Sequence, residues 1–166
     1  PEVNEVIVRN RRIGLSVTGV TQFLEDRNWN DLRGWLDEGY GEVQGWDEKY
    51  SSWLGVRPAI KTTSITPSGT VSLIGGVTPG DHWPTESGEY FRRQRFSVYD
   101  PMVNLFIDAG YHVEPDVMDP DFTVVVTFPT VGPSMRSEKE VSIWEKAALA
   151  ALCQRYWADN SVSVTI

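Results

Sequence analysis

The sequence is nearly devoid of cysteine. Cys153 is the single one among 166 residues. One thiol makes no internal disulfide, no paired-cysteine redox centre and no multi-cysteine zinc site. Histidine is almost as scarce: His82 and His112 are the only two, which excludes a histidine-rich metal centre. No run approaches the roughly 20 apolar residues of a membrane helix, and no basic, apolar and small-residue regions mark a signal peptide. Positive charge is in deficit, with 15 Lys and Arg against 23 Asp and Glu and a net charge of −8. A surface built to grip nucleic acid is usually basic, so neither nucleic acid nor membrane is an expected partner. A small anion in a locally positive pocket remains compatible with this charge. A cytoplasmic protein is the expectation.

Apolar side chains are plentiful, at 40% of the chain, and the aromatic share is 11% with seven Trp. That composition builds a core and argues against disorder. The chain opens on Pro1 and stops inside the β-prone run at 161–166. We read both ends as cuts in a longer polypeptide, with residues 1–166 forming one contiguous part of one domain.

Periodicity and punctuation predict the elements. Residues 13–18 read as a buried strand and 20–25 as a short helix. Asn30 is the expected cap of a helix over 31–50, with Leu32, Trp35, Leu36, Tyr40, Val43 and Trp46 on one face. Gly34, Gly39, Gly41 and Gly45 weaken that helix, each by roughly 1 kcal/mol against Ala. Residues 61–65 read as a strand and the Gly/Pro-rich 75–80 as loop. Residues 90–98 form the next expected strand. Asp100 caps, and Pro101 begins, a helix to Ala109 that Gly110 ends. Residues 123–128 suit a strand covered on both faces. Ser137 and Glu140 make a capping box that opens a long helix to about Tyr156, with Val141, Trp144, Ala148, Leu152 and Tyr156 on one side. A last strand is expected from Ser161. Helices alternating with β-branched strands imply a mostly parallel α/β architecture.

The strongest local signal follows the strand at 61–65: Pro67, Ser68, Gly69, Thr70, Val71 and Ser72. Gly69 admits close approach of a ligand to the backbone, and Ser68, Thr70 and Ser72 carry hydroxyls. Successive N–H groups at a strand-to-helix turn favour an anion. No Gly-Lys-Ser/Thr follows, so this is not a Walker loop. On residue chemistry alone, a plain capping turn competes with a phosphate loop.

Other clusters are plainer. Alternation puts Arg93 and Arg95 on one strand face and Arg92 on the other. They form either a positive wall or, more simply, a solvated ion-paired face; the same holds for Arg9, Arg11 and Arg12. His82 and His112 suit surface or structural roles. Cys153 suits a buried inert thiol. Asp116, Asp119 and Asp121 suit a solvated loop rather than a metal site. Asp159 and Asn160 sit where they could cap or orient the last strand, but a turn role suffices. No catalytic residue and no metal ligand stand out.

Four ordered segments carry a resemblance: 10–19 (NRRIGLSVTG), 66–73 (TPSGTVSL), 76–82 (GVTPGDH) and 158–165 (ADNSVSVT). The stretches 90–93 and 128–130 agree with it. The set resembles the monomeric, triphosphate-reducing branch of the adenosylcobalamin-dependent (class II) ribonucleotide reductases, over nearly the whole chain. The resemblance implies part of a ten-stranded α/β barrel made of two parallel five-stranded halves, with later strands and helices present here. It implies adenosylcobalamin as cofactor, a ribonucleoside triphosphate as substrate, thioredoxin or a similar dithiol as reductant, and the rest of the same polypeptide as partner. In that family a thiyl radical removes the 3′ hydrogen of the ribose and a cysteine pair reduces the 2′ position. The finger-loop motif Asn-x-Cys-x-Glu and the reducing cysteines are absent here, so the chain alone is expected to be inactive. By the resemblance, residues 68–72 bind the substrate's phosphates through amides and hydroxyls, with Pro67 touching the nucleotide nearby. Two other readings stand beside it. One is a stand-alone nucleotide-binding α/β domain using Asp81 or His82 as acid or base. The other is the docking half of a split enzyme.

Overall fold

The computed structural model describes residues 2–67 and 69–164. Contacts divide the chain into two compact units, Pro1–Thr85 with Met135–Ile166, and Glu86–Ser134.

The first unit begins with α1 (Glu2–Asn10), which the sequence reading missed and which buries none of its residues. The chain then enters β1 (Arg12–Ser16), α2 (Val20–Asp26), α3 (Trp29–Leu54) and β2 (Lys61–Ser64). Strands β1 and β2 pair in parallel, which requires the long crossover that α2 and α3 provide. The expectation of a buried β1 is corrected: all five of its residues are exposed. Its pairing partner covers one edge, and no described strand lies on the other.

Helix α3 starts earlier and ends later than the expected 31–50. Asn28, not Asn30, is its cap, accepting the N–H groups of Asn30 at 2.9 Å and Asp31 at 3.0 Å. Two Asn residues stand near the start, and the one that keeps extended backbone dihedrals takes the role. Gly55 closes the helix in the left-handed region, at φ 65°. Leu32 and Leu36 enter the core, with Tyr40 and Val43 packed against it. Trp35 and Trp46 do not, being 71% and 45% exposed.

A short α4 (Val71–Gly75) follows the loop after β2. Chain return is through a 3₁₀ turn (Glu138–Glu140) and α6 (Ile143–Tyr156). The Ser137–Glu140 capping box forms, but it closes the 3₁₀ turn. Val141 is extended at φ −105°, ψ 130°, so the expected long helix is interrupted and Ser142 caps α6, accepting from the N–H of Glu145. The inward face also differs from the expected one: Leu149 and Cys153 are fully buried, while Trp144 is exposed. The core gathers Val20, Leu32, Leu36, Ile65, Trp83, Val141, Leu149, Cys153, Trp157 and Ala158. Each large apolar member contributes about 1.5–3 kcal/mol by leaving water. No strand forms over 161–164, correcting the expected last strand; residues 165 and 166 of that expectation lie outside the described residues.

The second unit comprises β3 (Glu89–Ser97), α5 (Pro101–Asp108), β4 (His112–Pro115) and β5 (Thr123–Val131). The three strands form an antiparallel sheet in the order β3-β5-β4. Helices and strands do mix as an α/β fold requires, but the mostly parallel expectation is corrected. Among the described residues only β1 and β2 pair in parallel, and the three strands of this unit are antiparallel, with β4 and β5 joined by a connection too short for a parallel crossover. Strand β4 was missed because its four residues, with His112 and Pro115, read as loop. Asp100 caps α5 through the N–H of Met102, as expected. Central β5 buries Val125 and Val126. Phe96, Phe106, Tyr111 and Phe128 form an aromatic cluster with ring centroids 5.1–6.4 Å apart. Pro129 is tolerated in β5 because the pairing of β4 stops at Thr127.

Candidate functional site

Strand β2 delivers its chain directly into the turn that the sequence singled out. Ile65 is buried, Thr66, Pro67, Gly69, Thr70 and Val71 are exposed, and Ser72 is buried. Ser68 lies outside the described residues. A Cβ on Gly69 would meet only the Pro67 carbonyl oxygen, at an ordinary 3.7 Å. Thr70 precedes α4 without a side-chain cap, and its carbonyl accepts the N–H of Leu73 at 3.2 Å. The Ser72 carbonyl accepts the N–H of Val77 at 3.0 Å, and Gly76 closes α4 at φ 63°. The turn is thus open to solvent on its outer side and tied down where it leaves.

Three supports hold its base. The first is Ser16 at the end of β1, whose hydroxyl oxygen accepts the N–H of Thr66 at 3.0 Å and lies 3.1 Å from the Thr66 hydroxyl. The second is the glycine-rich loop after α4. Thr18 donates its hydroxyl to the Thr78 carbonyl at 2.7 Å and accepts the N–H of Gly80 at 3.1 Å. The N–H of Gly19 reaches the same Thr78 carbonyl at 2.8 Å, and Gln22 accepts the N–H of Thr78 at 2.7 Å. Thr21 and Thr78 join their hydroxyls at 2.8 Å. The third support is the turn after α6. Asp159 accepts the N–H of Thr62 at 2.7 Å and of Thr63 at 3.3 Å, and the Tyr40 hydroxyl at 2.9 Å. Burial alone would raise the Asp159 carboxyl; the hydrogen bonds from Thr62, Tyr40 and Thr63 outweigh it and hold the group below the usual carboxylate range. Asp159 and Asn160 lie in a turn, the role the sequence reading held sufficient, and the Asp159 carboxylate bonds to β2 rather than to a last strand.

Sequence reading missed Ser16, Tyr40, Thr62, Thr63 and Thr78 as parts of this arrangement. Their partners lie 50 or more residues away in the chain for Ser16 and Asp159, so no local pattern betrays them. The available signal was that Ser16, Thr78 and Asp159 fall in three of the four segments that carry the resemblance.

The other candidates settle simply. Arg93 pairs with Glu114, and Arg95 with Asp116 at 3.0 Å, giving the ion-paired face. The Arg95 guanidinium holds the Asp116 carboxyl below its usual range. Arg11, at φ 37°, places its guanidinium 2.6 Å from the Ser51 hydroxyl and 2.5 Å from the Arg57 carbonyl. Exposed His112 lies 3.4 Å from half-buried Glu114 on β4. Asp119 accepts the Thr123 hydroxyl at 3.1 Å. Among the described residues no group of three or more His, Cys, Asp or Glu is placed to hold a metal ion. Asp81 and His82 stand 3.9 Å apart. Asp81 is buried, one carboxyl oxygen has no hydrogen-bond partner, and burial raises its pKa against the lowering effect of His82. Burial and the neighbouring Asp81 push the Cys153 thiol up to about 12, which makes it inert. No helix among the described residues is long and apolar enough to cross a membrane.

No family profile matches the chain. It is 49% identical over 166 residues to the adenosylcobalamin-dependent ribonucleoside-triphosphate reductase of Euglena gracilis, covering 99% of this chain and 23% of that protein. It is 35% identical over 192 residues to the enzyme of the same name from Lactobacillus acidophilus, covering 98% of this chain and 26% of that protein. The crystal structure of a B-12 dependent (class II) ribonucleotide reductase superposes with a TM-score of 0.80 at 30% identity, over 96% of this chain and 26% of the other. The chain spans about a quarter of the length of these relatives. A described cleft lined by Phe23, Asp26, Arg27, Asp31 and Trp35 has a volume of about 410 Å³. That is the scale of a small-molecule site.

Proposed function

We propose that this chain, a segment of the class II ribonucleotide reductase family, supplies the loop that holds the phosphate tail of a ribonucleoside triphosphate during its reduction to a deoxyribonucleotide. The observation that carries the reading is that Pro67, Gly69, Thr70 and Val71 are solvent-exposed on a turn braced at its base by Ser16, by the 76–80 loop and by β2. A triphosphate needs several N–H and hydroxyl donors converging on a small volume, held still before the ligand arrives. Ser68, Gly69, Thr70, Val71 and Ser72 carry such donors, and Pro67, which has no N–H, touches the nucleotide nearby. Gly69 matters because a side chain there would stand between backbone and phosphate.

The reaction itself belongs to the complete polypeptide. Adenosylcobalamin supplies radical initiation when bound to it, and thioredoxin or a similar dithiol returns the reducing cysteines to their thiol form. Neither a radical-bearing nor a reducing cysteine is in this chain, and buried Cys153 suits neither role. A cytoplasmic site of action fits these partners.

The test uses the complete enzyme. Gly69→Asp sets a carboxylate against the phosphates and should raise KM for the triphosphate by about tenfold or more, with the fold intact. Gly69→Ala adds only a methyl and should raise KM less, which separates the effect of bulk from that of the carboxylate. Unchanged nucleotide affinity in Gly69→Asp refutes the assignment.

A further inference from the structure

Strand β2 has a parallel partner on one edge, β1, and no described strand on the other. An unpaired edge leaves backbone N–H and C=O groups to be satisfied elsewhere. Here the turn that ends α6 takes the place of a strand. The Asp159 N–H and the Asn160 side-chain amide both reach the Thr63 carbonyl, at 3.2 and 3.3 Å. The Trp157 indole N–H donates to the Ser64 carbonyl at 2.9 Å, and the Thr63 hydroxyl donates to the Trp157 carbonyl at 2.5 Å. Lys61 donates its ammonium to the Asp159 carbonyl. At the centre stands one carboxylate oxygen, Oδ2 of Asp159. It accepts from the Thr62 N–H, the Thr62 hydroxyl at 3.0 Å and the Thr63 N–H. The other oxygen is held by Tyr40 from α3.

We propose that Asp159 is a positioning residue for the phosphate loop: its carboxylate gathers the Thr62 and Thr63 N–H groups and so fixes the register and height of the strand that delivers residues 67–72. This inference rests on the loop reading above. The physical argument is one of leverage. Thr63 lies four residues before Pro67, and Ile65 between them is buried, so a shift of β2 is passed to the loop with little slack. Charge-assisted hydrogen bonds are the strong ones, and one carboxylate replaces several bonds that a neighbouring strand would make. Asp159 touches no part of the loop itself; its effect runs through β2.

The experiment compares Asp159→Ala, Asp159→Asn and wild type in the complete enzyme. Asn keeps one carbonyl oxygen toward Thr62 and Thr63, and its amide faces Tyr40. Asp159→Ala should raise KM for the ribonucleoside triphosphate about tenfold while kcat falls less than about twofold. The competitive inhibition constant of inorganic tripolyphosphate should rise by the same factor, and that of the unphosphorylated nucleoside should stay put. Asp159→Asn should restore most of the loss. Equal losses in nucleoside and tripolyphosphate binding would mean a general structural role and overturn the proposal, as would unchanged constants in Asp159→Ala. If Asp159→Ala does not fold, Asp159→Asn decides: a smaller rise confined to phosphate-bearing ligands supports the proposal, and no change overturns it. Gly69→Asp separates the two levels. If it leaves affinity unchanged, the loop reading fails; if it weakens binding while the Asp159 variants do not, the positioning role alone fails.

Discussion

Gly80 lies so close to Thr66 that a Cβ added to it would stand 2.6 Å from the Thr66 carbonyl oxygen. Its φ of 53° is also one that side chains other than glycine's rarely tolerate. The glycine-rich loop after α4 therefore folds back against the entrance of the 67–72 turn, and only a residue without a side chain permits that contact. Gly80→Ala should lower stability by more than about 1 kcal/mol, from backbone strain and the clash together. Thermal or denaturant midpoints of the intact protein measure it. A neutral substitution would show that the contact is not tight.

The start of α3 offers a paired test. Asn28 accepts two N–H groups of the first turn, so Asn28→Ala should cost about 1 kcal/mol. Asn30 lies inside the helix, and Asn30→Ala should change stability by less than about 0.5 kcal/mol. The opposite ranking would place the helix start where the sequence first suggested.

Asp81 should make stability depend on pH in a defined sense. Its folded pKa is raised by burial. Its favourable contribution is present below the unfolded carboxylate pKa and is lost as pH rises through the higher folded value. Asp81→Asn removes that titration. The advantage of the variant over wild type should therefore grow as pH rises from about 4 toward neutrality. Equal pH profiles in chemical denaturation would rule the effect out.

Cys153 is fully buried on α6, with its thiol pushed up to about 12. An aromatic disulfide reagent at about pH 8 should modify it slowly in the native protein and quickly in urea, because thiolate and access both require opening. Equal rates in the two states would contradict the burial.

Much of this molecule is written locally. The Asp100 cap with Pro101 behind it, the Ser137–Glu140 box and the strand at 123–128 were legible because each depends on neighbours within a few residues. The turn at 67–72 was legible for the same reason, as a glycine flanked by hydroxyls after a strand. The boundaries of α3 and α6 were less so. Asn28 competes with Asn30, and buried Val141 interrupts what helical periodicity runs together, because a core contact overrides a local preference. Strand β4 carries no signal of its own; it exists because β5 offers an edge.

Composition and short-range chemistry were sufficient to show that one cysteine makes no disulfide or paired-cysteine centre within this chain, to single out the glycine-containing turn after β2 and to carry the family likeness. They cannot say what holds that turn in place. The bonds from Ser16 to Thr66 and from Asp159 to Thr62 and Thr63 span 50 and about 97 positions, and such contacts arise only when the chain has folded back on itself. The exposure of β1, the antiparallel sheet of the second unit and the outward turn of Trp144 have the same origin: each is set by which distant surface happens to lie alongside.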